Sequence, residues 1–406
     1  MFNLEVPRKY GPLVAQARQV ADEVFRPISR KYDVGEHQRP VELDMLAALI
    51  DGMNDGSDLG GAGAAGVRRT NGDGAGGVVV NRNGSNLSTA LSIMELCRGD
   101  VGLLLSVPRQ GLGNSAIASV ADDEQLARFA GQWAAMAITE PEAGSDSASI
   151  RTTAVLDGDD YVLNGEKIYV TAGERADLVV VWATLDRSLG RAAIKSFVVE
   201  RSNPGMKLDR LEHKLGIRAS DTAAFTLQDC RVPKENLLGP PGIEVTNGFA
   251  GAMQTFDNTR PLVAAMAVGL TRGCLEEIKV LLADAGVVPD WDAPAATQVA
   301  AAAELIAMDA DYEAAHLLTL QAAWMADNGK PNSLQASMAK AKAGRTCVDV
   351  ALRCVALAGT LGYSEESLLE KWARDAKILD IFEGTQQIQL LIIARQLLGL
   401  SSAQLR

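Results

Sequence analysis

Apolar residues follow a helical spacing at both ends of this chain and a strand-like pattern in the middle. They recur every three or four residues through about 1–50 and 87–130, and again from about 246 onward. Between about 136 and 240, the apolar runs are short, rich in β-branched residues and separated by turn-forming residues. The chain is therefore predicted to fold as helices, then strands, then helices.

A Gly-rich segment, residues 51–90, interrupts the N-terminal helical pattern. Within it, GAGAAG at 61–66 matches the GxGxxG spacing of a dinucleotide-binding motif, which requires a strand before it and a helix after it. NDGSDL precedes the motif and VRRTNGDG follows it, so we predict a long flexible loop without a dinucleotide site. Just upstream, residues 41–50 place four apolar side chains at helical spacing: Leu43, Leu46, Ala47 and Ile50.

Several segments of the middle region predict strands. In YVLNGEKIYV (161–170), Asn164–Gly165 lies between two β-prone runs and predicts a hairpin turn. Several strands at such short spacing predict a compact β-barrel or sandwich. The other predicted strands are DLVVVWATL (177–185), KSFVVE (195–200) and AAFTLQDCRVP (223–233).

Two long apolar stripes predict a helical bundle in the C-terminal region. The stripe in 297–326 comprises Val299, Ala303, Ile306, Ala310, Ala314, Leu317 and Trp324. The stripe in 334–358 comprises Leu334, Met338, Ala341, Val348, Leu352 and Val355. Further on, Thr385 is predicted to cap a helix, and the apolar face of that helix carries Ile388, Leu391, Ile392 and Leu398.

Together these patterns predict an α+β multidomain fold that is mainly α. A length of 406 residues suggests two or three domains. The predicted domains are an N-terminal α-helical domain (1–135), a β-barrel or sandwich domain (136–245) and a C-terminal helical bundle (246–406).

Charge and apolar content argue against several classes of protein. The formal net charge of −12 argues against nucleic acid or anionic lipid as a partner. No apolar run approaches the ~20 residues that a membrane helix requires, and the N-terminal residues lack the pattern of a signal peptide. We therefore expect a soluble, cytoplasmic protein.

Cysteine and histidine usage gives no indication of a metal centre. The three histidines, His37, His213 and His316, are widely spaced along the sequence, so no metal site is predicted. The five cysteines are scattered and form no CxxC pair, which predicts reduced thiols rather than a disulfide framework. They are Cys97, Cys230, Cys274, Cys347 and Cys354.

Four segments, in order along the chain, resemble sequence blocks of the acyl-CoA dehydrogenase family. They are ITEPEAGSD (138–146), NGEKIYVTAG (164–173), FDNTRPLVAAMAVG (256–269) and RDAKILDIFEGTQQIQ (374–389). The resemblance implies FAD as cofactor and an acyl-CoA thioester as substrate, oxidised to the trans-2-enoyl-CoA. It also implies that the electrons pass to an electron-transfer flavoprotein.

The resemblance further implies which residues hold FAD. ITEPEAGSD would run along the isoalloxazine ring and the pyrophosphate, and Tyr169 stands where the family usually carries Trp. Hydroxyls and free N–H groups in a Gly-bearing turn satisfy a phosphate, which agrees with this placement. The implied FAD contacts are Ile138, Thr139, Gly144, Ser145, Tyr169, Thr171 and Thr385.

A catalytic carboxylate is implied as well. Glu383 in FEGT matches the base that removes the Cα proton, while FAD N5 accepts the hydride from Cβ. A carboxylate is far less basic than the enolate, so the site must hydrogen-bond the thioester oxygen. Family members do so with the backbone N–H of this Glu and a flavin ribityl hydroxyl. Thr259 occupies the alternative base position of some members and cannot act as a base.

Contacts to the substrate are implied for Ser145, Asp257, Arg260 and Gly384. For Asp257 and Arg260, the residues alone leave a second interpretation open. Their i, i+3 spacing is also typical of a weak ion pair on a helix surface.

Two segments depart from the family pattern where its members contact the FAD of a neighbouring subunit. LLADAGVVPDWDAP (281–294) replaces an RxxFG segment, and Ala356 and Thr360 replace the Gln and the second Gly of QxxGG. The chain would then form a homo-oligomer, or a hetero-oligomer with a related subunit that completes the site. The alternatives are a non-catalytic subunit of such an assembly and an acyl-CoA oxidase.

Overall fold

The computed structural model describes residues 6–47, 84–109, 112–243 and 250–401, together with residue 404, and gives the backbone alone for 250–258. Within this part of the chain, no helix combines the length and the apolar character needed to cross a membrane. The division at residues 1–135, 136–245 and 246–406 stays a prediction.

Helices form the N-terminal region. Residues 42–47 form α3, in which Leu43 and Ala47 are buried as predicted. Ile50 and the GAGAAG motif lie outside the described residues. The other helices are α1 (Gly11–Val20), which continues through a π-helical stretch (Ala21–Phe25) into α2 (Arg26–Val34), then α4 (Ser85–Gly99), α5 (Val101–Leu104), α6 (Leu112–Val120) and α7 (Asp123–Arg128).

Eight strands form one mixed sheet in the order β6-β7-β3-β2-β4-β5-β8, with β1 parallel to β4. Tyr161 lies in β3 and Phe197 in β5, and β2 and β4 separate these strands in the sheet. The rings of Tyr161 and Phe197 nevertheless lie 5.0 Å apart, so the sheet curls around its own core. The strands are β1 (Ala134–Ala137), β2 (Thr153–Asp157), β3 (Asp160–Thr171), β4 (Leu178–Thr184), β5 (Ile194–Glu200), β6 (Met206–Leu211), β7 (Thr222–Pro233) and β8 (Leu237–Leu238).

The predicted hairpin turn at Asn164–Gly165 is wrong. Both residues lie inside β3, and the turn falls earlier, where Asp157 pairs with Asp160. Gly165 instead marks a register shift against β7 with φ 154°, and a Cβ there would lie 2.7 Å from the Cα of Thr152. A bulge and a hairpin turn select the same small, permissive residue, which explains the error.

Long helices form the C-terminal region and pack with α4 around the largest hydrophobic cluster of the described residues. Gly344 lets two of them approach closely, because a Cβ there would lie 2.7 Å from the carbonyl oxygen of Leu379. The helices are α8 (Ala250–Asp284), which runs through Pro261, α9 (Ala300–Asp327), α10 (Ser333–Ala358), α11 (Thr360–Tyr363), α12 (Leu369–Leu379) and α13 (Gln386–Leu398).

The apolar stripe predicted for α9 is on the wrong face. Val299 and Leu317 are 61% and 41% exposed, whereas Leu305, Met308 and Leu320 are buried. Because α9 is apolar around most of its circumference, several stripes fit the helical period equally well. The apolar stripe predicted for α10 is confirmed only in part, because Ala341 and Val348 are buried but Leu352 is exposed.

A buried lysine joins the three regions of the chain. Lys371 of α12 contacts Asp100, and its Nζ lies 2.6 Å from Asp375 Oδ2; all three side chains are fully buried. The other oxygen of Asp375 accepts the backbone N–H of Ile217, from the loop between β6 and β7, at 2.5 Å. Burial alone would lower the pKa of Lys371, but the two carboxylates raise it above its ordinary value, so the ammonium stays charged.

Replacing Lys371 by methionine is expected to lower the free energy of unfolding by about 3–5 kcal/mol, because two buried carboxylates lose their cation. Lys342→Met is the control, since Lys342 pairs with Asp311 at a half-exposed position. That change is expected to cost about 1 kcal/mol or less. Urea denaturation measures both, and equal losses would contradict the role given to Lys371.

Candidate active site

The segment ITEPEAGSD leaves β1 as a loop that is anchored from inside the sheet. Glu140 is buried, and its Oε1 lies 2.6 Å from the Nζ of the buried Lys167. The same Nζ donates to the carbonyl of Ile138 at 3.2 Å, and the backbone N–H of Thr152 donates to Glu140 at 2.9 Å. Glu140 and Lys167 were not predicted as functional residues, yet they fix the start of this loop.

The solvent-facing residues of this loop and of the end of β3 form an open surface, here called the shelf, which comprises Thr139, Gly144, Ser145 and Tyr169. The backbone N–H of Ile168 donates to the carbonyl of Thr139 at 2.9 Å, which joins the loop to β3. Tyr169 follows with φ 58° and a 63% exposed side chain, and Ser145 is exposed. A Cβ at Gly144 would meet only the Thr139 methyl, at 3.9 Å. An exposed aromatic ring, hydroxyls and an unobstructed backbone fit a flavin with its phosphates.

The end of β3 connects this shelf to the helices. Thr171 pairs with Thr222 at the start of β7, directly after the loop that contains Ile217. Through Ile217 that loop is bonded to Asp375 of α12, and α12 leads into the second group of candidate residues. The shelf and the second group are therefore held in one framework.

Glu383 and Gly384 form a tight turn between α12 and α13. Glu383 has φ 57°, a left-handed conformation that costs a non-glycine residue about 1–2 kcal/mol, and Gly384 has φ 93°. Thr385 then caps α13, its hydroxyl accepting the N–H of Ile388 at 3.4 Å, which confirms the predicted cap. A strained residue in such a turn is typical of a functional site.

The carboxylate of Glu383 is partly buried against α8. The Thr259 hydroxyl donates to its Oε2 at 2.7 Å. Burial raises the pKa of Glu383 above its usual value of 4.5, against the opposing effects of Thr259, Arg260 and Lys340. Arg260 is itself buried, and the alternative of an ion pair with Asp257 stays a prediction. The side chain of Asp257 lies outside the described residues.

Lys340 and Gln389 hold the backbone of this turn. The buried Nζ of Lys340 donates to the carbonyl of Gly384 at 2.7 Å, and burial lowers the pKa of this lysine to about 8. The Gln389 amide donates to the carbonyls of Glu383 and Gly384 at 3.2 and 3.1 Å. These donors fix the peptide planes on both sides of Gly384.

Lys340 and Gln389 were not predicted from the sequence, and Thr259 was predicted only to be unable to act as a base. A signal for Lys340 was available, since it stands as a cation in the alanine-rich segment ASMAKAKAG (336–344). Four residues on, Gly344 brings α10 against the loop after α12, and this places Lys340 beneath the turn. Gln389 had no such signal, because glutamine is common on exposed helix faces.

The cysteines and histidines are the remaining candidate metal ligands. All five cysteines are free and buried, as predicted. His37 and His213 are far apart along the sequence, yet their rings lie 5.1 Å apart beside Glu36, so the sequence spacing does not support the prediction that no metal site is present. Distance along the sequence does not limit contacts between separate elements.

Two family models match consecutive regions of this chain. The family model of the acyl-CoA dehydrogenase middle domain matches residues 135–230, and that of the C-terminal domain matches residues 246–398. The short-chain specific acyl-CoA dehydrogenase of Bos taurus mitochondria is 33% identical over 98% of this chain and 92% of its own length. The short-chain specific acyl-CoA dehydrogenase of Clostridium acetobutylicum is 35% identical over 77% of this chain and 82% of its own length.

Butyryl-CoA dehydrogenase from Megasphaera elsdenii superposes with a TM-score of 0.82 at 29% identity, covering 98% of this chain and 100% of that one. This likeness confirms the predicted α+β fold class, mainly helical with a middle β-domain. The chain belongs to the acyl-CoA dehydrogenase family of FAD-dependent oxidoreductases.

Proposed function

We propose that this chain introduces a Cα–Cβ double bond into an acyl-CoA thioester, giving the trans-2-enoyl-CoA, with Glu383 as the base. The observation that carries the proposal is the carboxylate of Glu383, partly buried in a strained turn and oriented by Thr259. Its raised pKa brings it closer to the working pH, where a general base is most effective. Butyryl-CoA is the first substrate to test, since several relatives carry short-chain or butyryl specificity in their names.

Glu383 takes the Cα proton of the substrate in this scheme. A carboxylate is too weak a base for an unassisted thioester, so a donor to the thioester oxygen must stabilise the enolate. We assign that role to the backbone N–H of Glu383. Lys340 and Gln389 keep this backbone in position by their bonds to the adjacent carbonyls.

FAD, when bound, supplies the hydride acceptor for Cβ. The shelf beside β1 and the end of β3 offers the groups that would hold it, and Arg260 with Asp257 and Gly384 would contact the thioester. Ser145 would contact FAD and the substrate. An electron-transfer flavoprotein would take up the electrons. The residues proposed to contact FAD are Ile138, Thr139, Gly144, Ser145, Tyr169, Thr171 and Thr385.

A partner subunit is part of the proposal. In α13, Leu390, Leu397 and Leu398 are 52%, 63% and 66% exposed, although Leu398 belongs to the predicted apolar face. Such a run of exposed leucines is typical of a surface that another chain covers. Because this chain lacks the Arg, Phe and Gln that its family uses toward a neighbouring FAD, we propose a related but different subunit as the partner.

Glu383→Gln is expected to keep its FAD and to lose at least 10²–10⁴-fold in the rate of flavin bleaching by butyryl-CoA. In the unmodified protein, kcat/KM should rise with pH along an acid limb whose apparent pKa lies above 4.5, because the deprotonated carboxylate is the active form. Stopped-flow absorbance measures both. The exposed Glu365→Gln is the control, and a Glu383→Gln rate near that control would refute the assignment.

Lys340→Met is expected to lower kcat on the order of 10²-fold with little change in KM, because the turn that carries Glu383 loses its anchor. The acid limb should also move to higher pH, since a positive charge that lowers the pKa of Glu383 is removed. Lys342→Met, two residues along the same helix, should change neither quantity. An unshifted acid limb with normal kcat would contradict the positioning role.

The chain expressed alone is expected to bind less than one FAD per chain, and co-expression with a related subunit that retains RxxFG and QxxGG should restore full occupancy. Each missing charged hydrogen bond is worth about 1.5–3 kcal/mol, so two or three weaken FAD by orders of magnitude. Absorbance of the purified protein gives the stoichiometry. Tightly held, stoichiometric FAD in a homo-oligomer would overturn the need for a different partner.

A further inference from the structure

Glu36 and His37 lie in the turn that follows α2, and His213 lies just after β6, 177 positions from Glu36. The turn is tied to the β-domain independently of these side chains, because the guanidinium of Arg175 donates to the carbonyl of Gln38 at 3.1 Å. Two of the three histidines of the chain therefore meet at the contact between an N-terminal helix and the sheet.

One potential ligand atom from each side chain of this cluster lies within 4.8 Å of the other two. Nδ1 of His213 is 3.0 Å from Oε2 of Glu36, and the other oxygen of Glu36 accepts the backbone N–H of Lys214 at 2.9 Å. The Glu36 carboxylate is thus held in one orientation, with the oxygen that does not bond Lys214 facing the imidazole.

The ring nitrogens of His37 also indicate a bound ligand. Both of its ring nitrogens are inaccessible to solvent, and neither finds a hydrogen-bond partner among the residues that the structure describes. A buried polar group without a partner is costly, and an unassigned ion is one of its ordinary explanations.

We propose that Glu36, His37 and His213 bind one divalent transition-metal ion, with zinc as the best match. Two imidazoles and one carboxylate are a known ligand set for zinc, with water at the fourth position. Magnesium and calcium fit poorly, because they require mostly oxygen ligands. This site is separate from the proposed active site, so its test does not depend on the proposed reaction.

The site requires only a small closure around the ion. Zinc bonds of about 2.0–2.2 Å place tetrahedral ligands about 3.4 Å apart, and the candidate ligand atoms all lie within 4.8 Å of one another, so no pair has to approach by more than about 1.4 Å. His213 can make that movement, since its side chain is 85% exposed. Of the neighbouring cations, Lys214 directs its ammonium to the carbonyl of Ser220 at 2.7 Å, while Glu174 adds a negative charge beside His37.

A bound ion would fasten the turn after α2 to the end of β6. That cross-link joins the N-terminal helices to the β-domain through the loop 212–221, which also contains Ile217. The expected effect is therefore on stability rather than on the chemistry of Glu383.

The test uses the full chain at its measured FAD content, stripped of metal with EDTA and titrated with zinc chloride in a calorimeter. We expect one ion per chain and a higher thermal midpoint at saturation. Cobalt chloride should give the visible absorption of a low-symmetry nitrogen and oxygen site. His213→Ala and Glu36→Gln should each weaken zinc binding at least tenfold. His316→Ala, which removes the histidine outside the cluster, should bind zinc as the unmodified chain does.

Because His213 is exposed, its alanine variant should fold, and an unchanged thermal midpoint without metal verifies this. The buried cysteines limit competition from thiolates. Absence of saturable one-to-one binding in the unmodified chain would overturn the proposal. Undiminished binding in His213→Ala would overturn it as well.

Discussion

The buried ammonium of Lys371 is the contact on which the arrangement of the three regions depends. It lies between Asp100, at the start of α5, and Asp375, on its own helix, and Asp375 also accepts the backbone N–H of Ile217 from the β-domain. A buried charge is tolerable only when its partners compensate the loss of water. The position of α12 is therefore fixed against both the N-terminal helices and the sheet, and Glu383 follows four residues after that helix ends.

Helix packing determines the orientation and the pKa of Glu383 in its turn. Gly344 allows α10 to approach, and the approach places the Lys340 ammonium against the carbonyl of Gly384. That bond and those from Gln389 stabilise the left-handed backbone conformation of Glu383, which is unfavourable for a non-glycine residue. The same burial that makes Lys340 a good anchor raises the pKa of the Glu383 carboxylate, so one packing arrangement supplies both orientation and basicity.

Features set by neighbouring residues could be predicted from the sequence, such as the order of helices and strands and the cap at Thr385. Predictions failed where one pattern serves two structures, as at Asn164–Gly165, where a bulge uses the residues of a turn. They failed again where the partner is remote: nothing local indicates that His37 meets His213, and the isolated charge of Lys340 in an alanine-rich segment does not indicate which turn it reaches. Such contacts depend on the packing of whole elements.

Proton exchange at Cα of the substrate tests the central claim most directly, because it isolates proton removal from electron transfer. The FAD-loaded protein is incubated anaerobically with butyryl-CoA in D₂O without an electron acceptor, and deuterium at Cα is followed by mass spectrometry. The unmodified protein should incorporate deuterium, and Glu383→Gln with equal FAD content should fall to the rate without protein. Exchange by Glu383→Gln at the rate of the unmodified protein would show that another group removes the proton.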